Sequence, residues 1–295
     1  MDHLIQLRSD EKAGLPTEEK ERLLLSRLGE LPSVIVALSG GADSAYLAWA
    51  ANRALGQRAL SITAVSPSFS AHDKQMAEQF VRDTGVRHEF AETHEMDNPA
   101  YRANAANRCY FCKDELFSML DAVAERRGIA AVAYGVNADE TLDFRPGHRA
   151  ATEHQALAPL LDAGLTKAEI RELSRRAGLR TWDRPASACL ASRVPYGTEV
   201  TRERLALIER GEAALRELGF RQFRVRLYDT LARVEIGHEE LARAFDPEIT
   251  ATIEERLKSA GFVSVDLDPR GYRQGSLNEA LARRETLSSK TASGT

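Results

Sequence analysis

A chain of 295 residues, with 43% hydrophobic and 28% charged residues, has the composition of an ordinary globular protein and length enough for about two domains. Its formal charge of −4 argues against a large nucleic-acid footprint but leaves room for a small anionic ligand held by a local arginine cluster. Three cysteines are few and odd in number, which argues against a disulfide framework and for reduced thiols. The first residues lack a basic-then-apolar signal and no stretch reaches the roughly 18 apolar residues of a membrane span, so a cytoplasmic protein without membrane association is expected.

In chain order, SVIVAL at 33–38 is a short apolar, β-branched run of the kind that forms a buried parallel strand, and SGGADSAYLAWAANRAL turns from it into a helical pattern. ALSITAV reads as a second strand. KQMAEQFVRDTG places Met76, Ala77, Phe80 and Val81 at helical spacing with Gly85 as the stop. RHEF is a weak third strand, DELFSMLDAVAERRG an amphipathic helix ending at Gly128, and IAAVAYG an apolar strand. TKAEIRELSRRAG opens with a capping box, Thr166 to Glu169. This alternation predicts an α/β domain with a parallel, doubly wound sheet over 1–183.

After about Asp183 the rhythm changes. RERLALIERGEAALRELGF reads as a helix, QFRVRLY and TLARVEIG as two alternating strands, EITATIEERLKSAGF as a helix and VSVDL as a last strand. A second, smaller α+β domain is expected over 184–278, with 184–198 as the junction and the polar 279–295 as a disordered tail. Ligands favour such junctions.

The stretch LSGGADSAY lies between the first strand and its helix. Gly40 and Gly41 permit a tight backbone whose N–H groups can face one anion, and Asp43 and Ser44 follow at the positive end of the helix. This is the pattern of a phosphate cradle, without the Gly-Lys-Ser/Thr of a kinase-type loop. Asp139, Glu140 and Asp143 follow the fourth strand at the edge where such sheets bind ligands, which makes them candidates for magnesium or substrate positioning. The alternative is that Asn137 and Asp139 cap a helix or make a turn; Arg145 and His148 stay undecided, and no role is read for His72, His88 or His94. Cys109 and Cys112 form a Cys-x-x-Cys pair that could be a redox switch, a zinc hook, part of an iron-sulfur site or two plain thiols. Cys189 sits between small residues near Arg184 and Arg193, whose charges would favour its thiolate. Arg224 and Arg226 alternate on one predicted strand, so both face one side and suit a phosphate.

The SGGxDS loop after an apolar strand resembles the pyrophosphate loop of the PP-loop ATP-pyrophosphatase superfamily, with its adenine nucleotide alpha hydrolase-like sheet. ACLASR with Pro and Tyr-Gly behind it, YGVNADETLDFRPGHRAA, FRVRLYDTLARVEI and GYRQGS narrow the resemblance, over about 30 to 280, to the LarE family of ATP-dependent sulfur transferases in nickel-pincer-nucleotide biosynthesis. The resemblance implies that Ser39, Gly40, Gly41, Asp43 and Ser44 cradle the pyrophosphate of ATP and that Val65 and Ser66 meet the adenosine, with Mg2+ as cofactor. It implies that Cys189 bears sulfur, that Arg224 and Arg226 hold the phosphate of a pyridinium mononucleotide, and that Glu212 lies near the cysteine. Such enzymes adenylate the two carboxylates of that substrate and convert them to thiocarboxylates.

The branch of the family that gives up the sulfur of this one cysteine needs no other. Here Cys109 and Cys112 are also present, and three thiolates suit a 4Fe-4S cluster with one open iron, as in cluster-dependent superfamily members that thiolate tRNA. A three-cysteine cluster on Cys109, Cys112 and Cys189 is therefore expected, with zinc or free thiols as the alternatives, a separate sulfide source and a homo-oligomeric assembly. The competing functions are sacrificial transfer of the Cys189 sulfur, tRNA thiolation and nonenzymatic adenine-nucleotide binding. The absence of a strongly basic run disfavours the tRNA reading.

Overall fold

The computed structural model describes residues 14–142, 146–185 and 188–273. Asp143, Arg145, the end of GYRQGS and the polar tail, all singled out above, lie outside them. The chain divides into two compact units, one of residues 14–95 with 109–185 and one of residues 96–108 with 188–273.

In the first unit, strands β1 (Val34–Ala37), β2 (Ala59–Val65), β3 (His88–Glu92) and β4 (Ala131–Tyr134) pair in parallel in the order β3-β2-β1-β4. Helices α1 (Thr17–Gly29), α2 (Ala42–Leu55), α3 (Ala71–Thr84), α4 (Arg108–Arg127), α5 (Pro146–Glu153) and α6 (Lys167–Arg176) accompany them. Successive side chains of a strand point to opposite faces, and β1 uses both. Val34, Val36 and Leu38 enter a core with Leu24 and Leu28 of α1, most of α2, and Ile170 and Leu173 of α6. Ile35 and Ala37 enter the opposite core with Phe117, Leu120, Val123 and Ala124 of α4. A strand buried on both faces reads as a continuous apolar run, as SVIVAL does.

The helix ends follow local chemistry. Ser70 caps α3 by accepting the Asp73 N–H at 3.0 Å, and Gly85 stops it in a left-handed conformation. The capping box of α6 is closed in both directions, from the Glu169 N–H to Thr166 Oγ1 at 3.3 Å and from the Thr166 N–H to Glu169 Oε2 at 2.8 Å. Helix α4 differs from the sequence expectation by starting at Arg108 rather than after Lys113, so Cys109 and Cys112 lie inside its first turns.

In the second unit, α7 (Arg202–Glu217), β5 (Phe223–Tyr228), β6 (Leu231–Ile236), α8 (His238–Ala244), α9 (Pro247–Ala260) and β7 (Ser264–Leu267) build a three-stranded sheet, order β5-β6-β7. β5 and β6 form an antiparallel hairpin, whereas β6 and β7 are parallel and are joined through α8 and α9. Buried Asn104 ties residues 96–108 to this unit, its amide donating to the carbonyls of Val194, Pro195 and Thr198 at 3.2, 2.8 and 2.9 Å.

Candidate functional site

Strand order reverses at β1, with β2 on one side and β4 on the other, and open α/β sheets bind ligands at the carboxyl ends of the strands beside such a switch. The loop from Ser39 to Gly41 leaves β1 there. Gly40 holds φ at +77°, and a side chain on it would meet Arg184 Nη1 at 2.9 Å. Ser44, in the first turn of α2, gathers the loop: its Oγ accepts the Ser39 N–H at 3.2 Å, lies 3.0 Å from Ser39 Oγ and donates to the Gly41 carbonyl at 3.1 Å. Arg184, whose charge the sequence assigns to Cys189, donates to the Gly40 carbonyl and to Asp73. The ends of β2 and β4 complete this edge. Ser66 Oγ accepts the Ser68 N–H at 3.2 Å and donates to Ser68 Oγ at 3.0 Å, because Ser68 Oγ spends its own hydrogen on buried Glu95 at 2.9 Å. The Val65 carbonyl accepts the Thr93 N–H at 3.1 Å. Gly135, just past β4, approaches α2 so closely that a Cβ would stand 2.7 Å from the Ser44 nitrogen.

Asp43 joins this loop to the segment after β4. Its Oδ2 accepts from Asn137 Nδ2 at 3.1 Å and its Oδ1 from Lys167 Nζ at 2.7 Å. Asn137 Nδ2 also reaches Glu140 Oε1 at 3.0 Å, and Asn137 Oδ1 takes the Asp139 N–H at 3.0 Å. Asp139 Oδ2 in turn accepts the Lys167 N–H at 2.7 Å, a contact over 28 residues that satisfies an N–H in the first turn of α6, whose N-cap is Thr166. Glu140 Oε2 stands 3.9 Å from His148 Nε2. A glycine loop, a helix N-terminus and flanking cations are the elements from which a phosphate site can be built.

In the second unit, Cys189 directly precedes a short 3-10 turn, Leu190–Arg193, and is partly exposed. Arg193 builds the loop around it. Its Nε and Nη2 make a buried bidentate pair with Glu212 at 2.7 and 2.9 Å, and its Nη1 donates to the carbonyls of Ala188 and Cys189 at 2.6 and 3.1 Å. Glu212 Oε1 also accepts the Val225 N–H of β5 at 3.2 Å. Arg226, 5% exposed, pairs with Glu235 and donates to the Ser192 carbonyl at 2.6 Å. Partly buried Arg224 lies over the Tyr272 ring at 5.0 Å. Burial first, then the Arg193 charge, draws its guanidinium down to about 10, still cationic at neutral pH. Cys189, Arg193, Glu212, Arg224 and Arg226 are thus brought together, with neither strand arginine on a solvated face.

Cys109 and Cys112 stand three residues apart on α4 and therefore share a helix face, the first exposed and the second partly so. They belong to the first unit and Cys189 to the second, and none of the three is in a disulfide. Among the described residues, no group of three or more His, Cys, Asp or Glu side chains is arranged to hold a metal ion.

Residues 25–134 match the NAD synthase family, which covers β1 to β4 and the glycine loop. An uncharacterised protein of Synechocystis is 41% identical over 90% of this chain and 99% of its own length. An uncharacterised protein of Methanocaldococcus jannaschii is 31% identical over 58% of this chain and 66% of its own. The pyridinium-3,5-bisthiocarboxylic acid mononucleotide synthase of Lactiplantibacillus plantarum, the LarE protein, is 30% identical over 90% of this chain and 96% of its own. The chain belongs to the LarE family. It is accordingly an ATP-using enzyme with a PP-loop domain.

Two cations at this loop, Arg184 and Lys167, are not expected there from the sequence. The sequence places Arg184 near Cys189, and Lys167 lies inside the Thr166–Glu169 capping box without a role read for it. Lys167 left one signal: a cation at the first position of a helix faces the positive end of the dipole, so something else must hold it there. Among the described residues, no helix is long and apolar enough to cross a membrane.

Proposed function

We propose that this LarE-family enzyme activates the carboxylates of a pyridinium-3,5-dicarboxylate mononucleotide with ATP and replaces an oxygen of each by sulfur. The observation that carries the reading is the Ser39–Ser44 loop at the sheet's switch point, in a chain alignable over 90% of its length with a thiocarboxylate mononucleotide synthase.

In the first step a substrate carboxylate oxygen attacks the α-phosphorus of ATP, the bond to the β-phosphate oxygen breaks, and pyrophosphate leaves. Ser39, Gly40, Gly41, Asp43 and Ser44 form the cradle for that group, with Val65 and Ser66 on the adenosine side, and the stabilisation is electrostatic. Mg2+ accompanies the nucleotide, and the carboxylates that would hold it are Asp139 and Glu140 on the same edge. In the second step a sulfur nucleophile attacks the acyl carbon, the bond to AMP breaks, and AMP departs. Arg224 and Arg226 are the anchors for the mononucleotide phosphate. Arg193 and Glu212 act one step back, fixing the backbone that presents Cys189.

The sulfur is assigned to a 4Fe-4S cluster on Cys109, Cys112 and Cys189. The donor set fits in kind, as three reduced thiols, two of them on one face of α4. Bound there, the cluster would supply an open iron able to carry sulfide. In the sacrificial alternative the Cys189 thiolate forms a thioester, then its Cβ–Sγ bond breaks with loss of the α-proton, leaving dehydroalanine.

The test is substrate-dependent pyrophosphate release. The purified protein should release pyrophosphate from ATP when the pyridinium dicarboxylate mononucleotide is added and be silent with tRNA. Release dependent on tRNA, or ATP binding with no release, would overturn the reading.

A further inference from the structure

Arg108 is the residue at which the chain leaves the second unit: it closes the 96–108 segment and opens α4, directly ahead of Cys109. It is 4% exposed. Its Nη1 donates to the Ala191 carbonyl at 2.8 Å and to Asn104 Oδ1 at 2.5 Å, and its guanidinium lies 6.0 Å from the centre of the Tyr196 ring. Ala191 belongs to the Leu190–Arg193 turn, two residues past Cys189. Asn104 is itself fixed by the carbonyls of Val194, Pro195 and Thr198, so both acceptors of Arg108 are held by the loop that carries Cys189. A buried guanidinium that lost such acceptors would be strongly unfavourable, which makes the attachment a firm one. Consecutive Cα atoms stand about 3.8 Å apart and a helix is stiff, so fixing residue 108 fixes where α4 begins and, with it, Cys109 and Cys112.

We propose that Arg108 is a positioning residue for sulfur transfer: by gripping the Ala191 carbonyl it sets the reach from the Cys109–Cys112 turn to Cys189. This rests on the three-cysteine assignment above and adds the group that spaces the thiols before any iron is bound. Arg193 holds the carbonyls of Ala188 and Cys189, so two arginines divide the backbone around Cys189 between them, and only Arg108 is bonded through the chain to Cys109. A planar guanidinium suits the task because its donors are fixed relative to one another. Thiols held at a set spacing meet at a high effective concentration, which lowers the ordering cost of binding one group with all three.

The experiment is cross-linking of the full, iron-free chain by dibromobimane, a short reagent that joins two thiols, in a Cys112→Ser background. Peptide mass spectrometry counts Cys109–Cys189 links, and melting curves are recorded for every variant. The background chain should form the link. Arg108→Met should slow it by about 10- to 100-fold, the range of one charged hydrogen bond, while alkylation of each cysteine alone changes less than about threefold. Arg108→Gln, too short to reach Ala191, should behave alike and keeps the test alive if the methionine variant does not fold. Arg108→Lys, which keeps a long donor, should fall between. Arg102→Met removes a 3.4 Å ion pair to Glu199 from the same segment and should leave the rate within about twofold, as an exposed pair contributes little. An unchanged rate in the folded methionine or glutamine variant would overturn the proposal. An equal loss in Arg102→Met would also overturn it, by reducing Arg108 to one of several struts of the segment. A background chain that forms no Cys109–Cys189 link would overturn the three-cysteine assignment with it.

Discussion

Gly135 is where a single methyl group meets the most resistance. Its added Cβ would press on the Ser44 nitrogen and Cα at 2.7 and 2.8 Å, atoms of backbone that cannot rotate away. Gly135→Ala should therefore destabilise the protein by about 1–3 kcal/mol in urea unfolding and reduce pyrophosphate release, since it pushes β4 off the start of α2. A second residue-scale prediction concerns His154, whose Nδ1 lies 2.6 Å from Asp121 and whose Nε2 lies 3.1 Å from Asp114. Burial alone would lower its pKa, but the hydrogen bonds to Asp121 and Asp114 outweigh burial and raise it. A raised folded-state pKa means stability that is fully present below the ordinary histidine value of about 6.5 and lost as pH rises through the folded value. Urea unfolding of wild type and His154→Gln should show a gap that narrows as pH rises above that value; a gap unchanged with pH would contradict it.

At the scale of elements, the Cys189 turn is held to β5 and α7 by the Arg193–Glu212 pair, both side chains almost fully buried. Removing the carboxylate strands a buried guanidinium, so Glu212→Ala should cost about 3 kcal/mol in chemical unfolding. The same variant should make Cys189 react faster with a thiol reagent in a Cys109→Ser, Cys112→Ser background. Which elements the sequence revealed follows from how local their signals are. β1 and β2 announce themselves by apolar runs, and α6 by a capping box contained in four residues. The start of α4 did not, because Cys, Tyr and Phe are indifferent helix formers and its first turns bring only Tyr110 to the core before Leu116 and Phe117. Helix α1, ahead of the first strand, and the seven-residue α8 add to the expected alternation. The site divides along the same line. Gly40, Asp43 and Ser44 were legible as one contiguous loop, whereas Lys167 and Arg184 reach that loop from 124 and 144 residues away.

For the whole molecule, the candidate residues fall in two units of one chain: the glycine loop and the Cys109–Cys112 pair in the first, Cys189, Arg193, Arg224 and Arg226 in the second. The cluster assignment makes a compositional prediction. Anaerobically purified protein should contain about four iron and four acid-labile sulfide per chain, and Cys109→Ser with Cys112→Ser should lose both. Iron-free protein that leaves dehydroalanine at position 189 would assign the sulfur to the cysteine itself. The central proposal, that an adenylated carboxylate receives its sulfur at a site that needs Cys189, separates two steps that one variant can uncouple. The most direct measurement is mass spectrometry of the pyridinium product alongside pyrophosphate release by Cys189→Ser: the account predicts pyrophosphate release without thiocarboxylate, and thiocarboxylate formed at the wild-type rate would contradict it.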